Sequence, residues 1–116
     1  MPTIFTKIIN KEIPADILFE DDEIIAFRDI HPLAPVHILI IPKREIASIN
    51  DLLPEDGPLV GKMVLVARKL AESLNIFEKG YKLLFRVGKD GGQEVQHIHL
   101  HLIGGARLHE EIRAVS

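Results

Sequence analysis

In Gln96-His97-Ile98-His99-Leu100-His101-Leu102, three imidazoles alternate strictly with three branched aliphatic side chains. Period two belongs to an extended strand, whose side chains fall on opposite faces. His97, His99 and His101 are thereby assigned to one face. Ile98, Leu100 and Leu102 take the other, the face turned to a core. A strand so divided needs further strands beside it and an apolar cover on its aliphatic side.

The rest of the chain supplies both. Ile17-Leu18-Phe19-Glu20 and Ile24 to Phe27, split by the polar Asp21-Asp22-Glu23, read as a hairpin. Val36 to Ile41 is a β-branched run of the kind buried on both faces, interrupted only by His37. Tyr81 to Val87 and Val95 to Ile103 complete five strands, with Lys89-Asp90-Gly91-Gly92 as the turn between them. Ile4 to Asn10 has the spacing of a short amphipathic helix, and Glu45 to Leu52 that of another. The longest helix is expected from Pro54 to about Leu74, with Leu59, Met63, Ala67, Leu70 and Leu74 as its core stripe. Gly61 within it suggests close packing against a neighbour. Strands segregated from helices predict an α+β fold with a five-stranded antiparallel sheet. With 116 residues, no repeat and no linker, one domain over residues 1–116 is expected, the polar segment 106–116 being a tail.

Composition narrows the function. A formal charge of −3 argues against a general nucleic-acid binder, and no apolar run is long enough to cross a bilayer. The absence of cysteine rules out disulfides and thiolate metal sites and suits a cytoplasmic protein. An anion bound here must be gripped locally, because the surface field will not gather it.

Zinc is the first candidate partner for three histidines. Neighbours two apart on a strand lie roughly 7 Å apart at Cα and the outer pair roughly 13 Å. With metal–nitrogen bonds near 2 Å, three such imidazoles do not converge on one tetrahedral centre; two of them with His37 or a carboxylate would be needed. A solvent-facing strand that merely carries histidines is the plainest alternative. Phosphoryl chemistry fits the spacing better. Gly91-Gly92-Gln93 offers backbone N–H groups as an anion nest over the start of the histidine strand. His99 would attack phosphorus with one ring nitrogen while the other donates to a backbone carbonyl. His101 would donate to a phosphoryl oxygen or to the departing atom, and His97 would orient its neighbours.

His97-Ile98-His99-Leu100-His101-Leu102-Ile103 resembles the defining motif of the histidine triad superfamily. The likeness extends to Ile4-Phe5-Thr6-Lys7-Ile8-Ile9, Glu12-Ile13-Pro14-Ala15, Phe27-Arg28-Asp29-Ile30, Ala34-Pro35-Val36-His37, Asp90-Gly91-Gly92-Gln93 and Gly104-Gly105. It covers residues 3–105 and is similar to the nucleotide-binding branch of that superfamily. The resemblance implies a purine nucleoside phosphoramidase, cleaving P–N bonds between a nucleoside monophosphate and an amine. It also implies a homodimer whose two sheets join into one, with no metal or cofactor required. By the same resemblance His99 is the nucleophile, His101 and His97 its triad partners and His37 a fourth member. Asp29 would hold the ribose hydroxyls, with Ile4, Phe5, Ile8, Phe27 and Ile30 walling the base. The backbone of Gly92, Gln93 and Glu94 would line the phosphate. Two alternatives stand beside it: a dinucleoside polyphosphate hydrolase of the same superfamily, and a purine-nucleotide-binding interaction protein with weak catalysis.

Three departures qualify the resemblance. Arg86 stands where the branch usually has asparagine; facing the site, it would grip phosphate oxygens and favour more highly charged substrates. Glu94 replaces the serine of animal relatives, and its carboxylate is expected to turn away from phosphate. The tail lacks the tryptophan those relatives carry. His31 and His109 read as loop and tail residues without chemistry.

Overall fold

Asp21 makes the first turn of the sheet: its Oδ1 accepts hydrogen bonds from the Glu23 and Ile24 N–H groups at 2.8 and 2.9 Å. In this computed structural model, which describes residues 2–116, β1 (Ile17–Glu20) pairs antiparallel with β2 (Ile24–Arg28) across that turn. β2 pairs with β3 (Val36–Pro42), and β3 with the histidine strand. That strand is β5 (Leu100–Gly104), and β4 (Tyr81–Leu84) on its other side completes an antiparallel sheet of order β1-β2-β3-β5-β4. The α+β fold with a five-stranded antiparallel sheet is thus present. No helix of the described residues is long and apolar enough to cross a membrane.

Strand alternation produces two cores. Ile24, Ala26, Ile38, Ile40, Leu100 and Leu102 bury one sheet face against Met63, Val66, Ala67, Leu70 and Ala71 of α2 (Gly57–Ser73). On the other face Ile25, Phe27, Leu39 and Ile41 meet Phe5 and Ile8 of α1 (Ile4–Ile9). The short α1 is held by Thr3, whose hydroxyl accepts from the Phe5 N–H at 3.1 Å while Thr6 Oγ1 accepts from the Thr3 N–H at 3.0 Å. Six residues of helix cannot cover five strands. The remainder of that face belongs to the histidines, since Leu39 pairs in register with His101 and His37 with Ile103.

Several expected boundaries shift. No helix spans Glu45 to Leu52; residues 45–48 are irregular and only Ile49–Asp51 forms a 3-10 turn. Carbonyls that a helix would use are taken elsewhere: Ile46 O accepts from the Ile98 N–H at 2.7 Å and Ala47 O from Gln93 Nε2 at 2.7 Å. Pro54–Asp56 is likewise a 3-10 turn ahead of α2. β4 stops at Leu84 rather than Val87, and the ladder of β5 begins at Leu100 rather than Val95. Gly61 is not a close-packing position, since an added Cβ would meet nothing within 4 Å.

Removing Leu102, fully buried against α2, should cost about 2–5 kcal/mol in a Leu102→Ala variant. Leu65→Ala, at a position 65% exposed, should stay within about 0.5 kcal/mol of the parent. Urea denaturation of both variants checks the assignment of the core.

Candidate active site

Each of the three triad imidazoles, and His37, is buried on the face that α1 covers incompletely. Their hydrogen bonds determine which nitrogen carries a proton. His99 Nδ1 lies 2.7 Å from the His97 carbonyl, which only accepts, so Nδ1 carries the proton and Nε2 keeps its lone pair. Phe5 stands edge-on to this ring with centroids 5.0 Å apart. His97 donates from Nε2 to the Pro42 carbonyl at 2.8 Å, tying the segment before β5 to the end of β3. His97, almost wholly enclosed, is a positioning residue: its carbonyl orients His99 while its ring anchors the backbone.

A second chain of bonds fixes His101. The Leu33 N–H donates to His37 Nδ1 at 3.0 Å, so His37 carries its proton on Nε2. That nitrogen is 2.9 Å from His101 Nδ1, which must then accept. His101 in turn holds its proton on Nε2. A backbone amide in the proline-rich loop thereby sets the tautomers of two rings in series. Asp29 Oδ2 lies 3.5 Å from His37 Nε2, and Asp29 Oδ1 accepts from the His31 N–H at 2.8 Å.

Burial is the largest influence on all four rings and lowers their affinity for protons. For His101 the adjacent His99, Arg86 and His37 add to it and the pKa falls to about 3. The carbonyl bond from His97 partly opposes burial at His99, as Pro42 does at His97 and Asp29 at His37. Neutral rings at neutral pH leave His99 Nε2 available as a nucleophile.

Arg86 reaches this cluster from just beyond β4, with its Nη1 3.3 Å from His101 Nε2. Within the glycine turn two of the amides expected to line the phosphate are engaged. Gly92 N–H donates to Lys89 O at 3.1 Å and Gln93 N–H to Gly88 O at 3.0 Å, so both amides close their own turn. The Gln93 side chain is a latch: Oε1 accepts from the Gly88 N–H at 3.0 Å, and Nε2 donates to Ala47 O at 2.7 Å and Val95 O at 2.9 Å. Gln93 is buried and Glu94 exposed. Gly91 is required, since an added Cβ would run into the Val87 carbonyl.

Among the described residues, the ligand atoms that converge as a metal would need belong to Asp29, His37 and His101, all within 4.8 Å of one another. His97 and His99 are not in that group, in keeping with the strand spacing. A metal there would have to displace the proton shared between His37 and His101.

A model of the scavenger mRNA decapping enzyme C-terminal binding family matches residues 2–111. A purine nucleoside phosphoramidase of Escherichia coli K12 is 53% identical over 106 residues, 91% of this chain and 89% of its own. A HIT family hydrolase from Legionella pneumophila superposes with a TM-score of 0.92 at 50% identity, covering 94% of this chain and 97% of its own. The chain belongs to the histidine triad superfamily. A histidine triad protein from Clostridium difficile, 38% identical, superposes with a TM-score of 0.90 over 94% of this chain and 95% of its own.

Within this histidine triad domain the expected site residues divide. His37, His97, His99, His101, Asp29, Arg86 and Phe5 are joined by the contacts above. Phe27 packs edge-on to Phe5 at 5.6 Å, behind it in the core. Ile4 and Ile30 are 49% and 79% exposed, open for a ligand to cover. Ile8 is buried beside Phe5 and Phe27 in the α1 core and also borders a cleft of about 390 Å³ shared with Lys11, Glu12 and Ile13. Another cleft, of about 510 Å³, is lined by Arg44, Glu45, Asp51 and Asp56 and contains no imidazole. Sequence reading missed Leu33, Pro42 and Ala47, which act through backbone atoms and carry no side-chain signal.

The unfolded chain takes up histidine protons near pH 6.5 that these folded rings refuse. Stability is therefore intact above pH 6.5 and declines as pH falls from there toward about 3. Denaturant melts at pH 7 and pH 5, above the range where the carboxylates titrate, should show this loss, and His101→Gln should reduce it. Equal stability at both values would contradict the lowered proton affinity of the buried rings.

Proposed function

We propose that this chain hydrolyses the P–N bond of purine nucleoside 5′-phosphoramidates through a nucleotidyl intermediate on His99. The observation that carries the reading is the bond from His99 Nδ1 to the His97 carbonyl, which leaves a neutral, fixed imidazole with Nε2 free. The 53% identity to the E. coli purine nucleoside phosphoramidase supports the substrate class.

In the first step the Nε2 lone pair of His99 forms a bond to phosphorus as the phosphorus–amine bond breaks, the departing nitrogen taking a proton from solvent so that it leaves as the neutral amine. His101 presents one N–H from Nε2 and is already an acceptor at Nδ1, so it stabilises by hydrogen bonding rather than by giving its proton away. In the second step water attacks phosphorus as the nucleotidyl-histidine bond breaks, its hydroxyl staying on phosphorus and its proton returning to solvent to balance the one used in the first step. Across both steps one water is consumed, its proton ending on the amine and its hydroxyl on phosphorus, and His99 returns neutral. Asp29 takes the ribose hydroxyls, while Ile4 and Ile30 close over the base with Phe5 beneath.

The working unit we infer is a homodimer in a cysteine-free cytoplasmic setting, joined through β4. Both β1 and β4 lie at sheet edges, but β1 carries a register irregularity and the Lys11–Glu20–Lys43 ion pairs, devices that discourage pairing. Light scattering on the purified chain tests this, with a monomeric mass as the contrary result.

A fluorogenic adenosine phosphoramidate tests the chemistry. Wild type should release the amine, and His99→Ala should lose activity by on the order of a thousandfold or more. Rapidly quenched wild type should carry one adenylyl group on His99. Binding of AMP without turnover would favour the nucleotide-binding interaction protein instead.

A further inference from the structure

Arg86 and His101 confront each other as two donors. The bond from the Leu33 N–H leaves His37 protonated at Nε2, and the 2.9 Å contact to His101 Nδ1 then places the His101 proton on Nε2. Arg86 Nη1, which can only donate, lies 3.3 Å from that same Nε2. Reversing the relay would leave His37 with no ring proton at all. The contact therefore cannot be a hydrogen bond between its two members, and an acceptor between them would satisfy both.

Three further observations say what that acceptor is. Among the described residues Arg86, like Arg68 and Arg107, has no carboxylate partner, but of these three it is the one whose guanidinium lies against an imidazole, Arg68 standing over Phe77 instead. Two amides of the expected anion-binding turn, those of Gly92 and Gln93, are engaged within the turn itself. Arg86 also lies over that turn: a Cβ on Gly92 would stand 3.4 Å from Arg86 Cδ and 3.7 Å from its Nε. Gly92, at φ +82°, thus serves as the seat of the arginine stem.

We propose that Arg86 is a catalytic residue of this chain, its guanidinium and the Nε2–H of His101 closing together on one non-bridging oxygen of the phosphorus that His99 attacks. The inference rests on the nucleotidyl-transfer reading above. It adds one cation to the anion recognition expected of the glycine turn. As the bond to His99 forms, charge on that oxygen is met by two donors already in place, one of them permanently charged. Neither donor gives up its proton, so the proton balance of the two steps is unchanged.

The test uses Arg86→Met, Arg86→Lys and the parent with an adenosine phosphoramidate, with both diastereomers of its phosphorothioate, and with diadenosine tetraphosphate. Arg86→Met should lower kcat by about a hundredfold with a smaller change in KM, a loss typical of removing one oxyanion donor. Wild type should favour one thio diastereomer, Arg86→Met should lose that preference, and Arg86→Lys should recover part of the rate. A kcat within threefold of wild type together with an unaltered diastereomer ratio overturns the proposal. So does a loss confined to diadenosine tetraphosphate, which would put the oxygen on the leaving group. Thermal melting checks that each variant folds; should Arg86→Met not fold, Arg86→Gln carries the same diastereomer comparison. If wild type itself fails to turn over the phosphoramidate, the functional reading falls, and AMP affinity by calorimetry still judges Arg86. An affinity about tenfold weaker in the variant supports the clamp, and equal affinities refute it.

Discussion

The hydrogen bond between His99 Nδ1 and the carbonyl two residues before it is the interaction on which the site depends. Without it the ring would be free to exchange tautomers and rotate, and its far nitrogen would be a nucleophile only part of the time. The bond is local in sequence but needs distant support. His97 must be held so that its carbonyl faces back toward His99, and the Pro42 carbonyl at the end of β3 does this by accepting from the His97 ring. One imidazole is thus used as scaffold so that another can react.

The sheet makes this arrangement affordable by separating two tasks onto two faces. α2 buries the aliphatic face with five small or flexible residues, and that core gives the strands their stability. The opposite face has only α1 above it, so buried polar rings replace part of a helix. Burying four imidazoles is tolerable because each has a hydrogen-bond partner, and no buried side-chain nitrogen or oxygen among the described residues is without one. The one contact that fails on closer inspection, Arg86 against His101, is the place where the proposed phosphoryl oxygen would sit.

The alternation of His97 to Leu102 is legible because a strand's period is a property of the backbone, and the burial of Leu100 and Leu102 opposite the histidines follows from it. The α2 stripe is legible for the same reason. Glu45 to Leu52 is misread because the hydrogen bonds that draw Ile46 and Ala47 away from a helix come from Ile98 and Gln93, some fifty residues on. Gln93 looks like part of a phosphate loop in sequence, yet its amide is shaped to bridge three backbone groups. Arg86 stands out as a departure from the family pattern, but only the proton relay behind His101 shows that two donors face each other there. Backbone donors and acceptors such as Leu33 and Pro42 leave no trace in residue identity.

That the relay starts at the Leu33 N–H has an evolutionary corollary. Main-chain amides are common to nineteen of the twenty residue types, so nearly any exchange at position 33 keeps the polarity of His37 and His101 intact, and only proline, which lacks the hydrogen, would erase it. The direction in which these two rings point their protons is therefore insulated from drift in the loop. Divergence there is free to reshape what the protein grips while the reacting centre stays as it was.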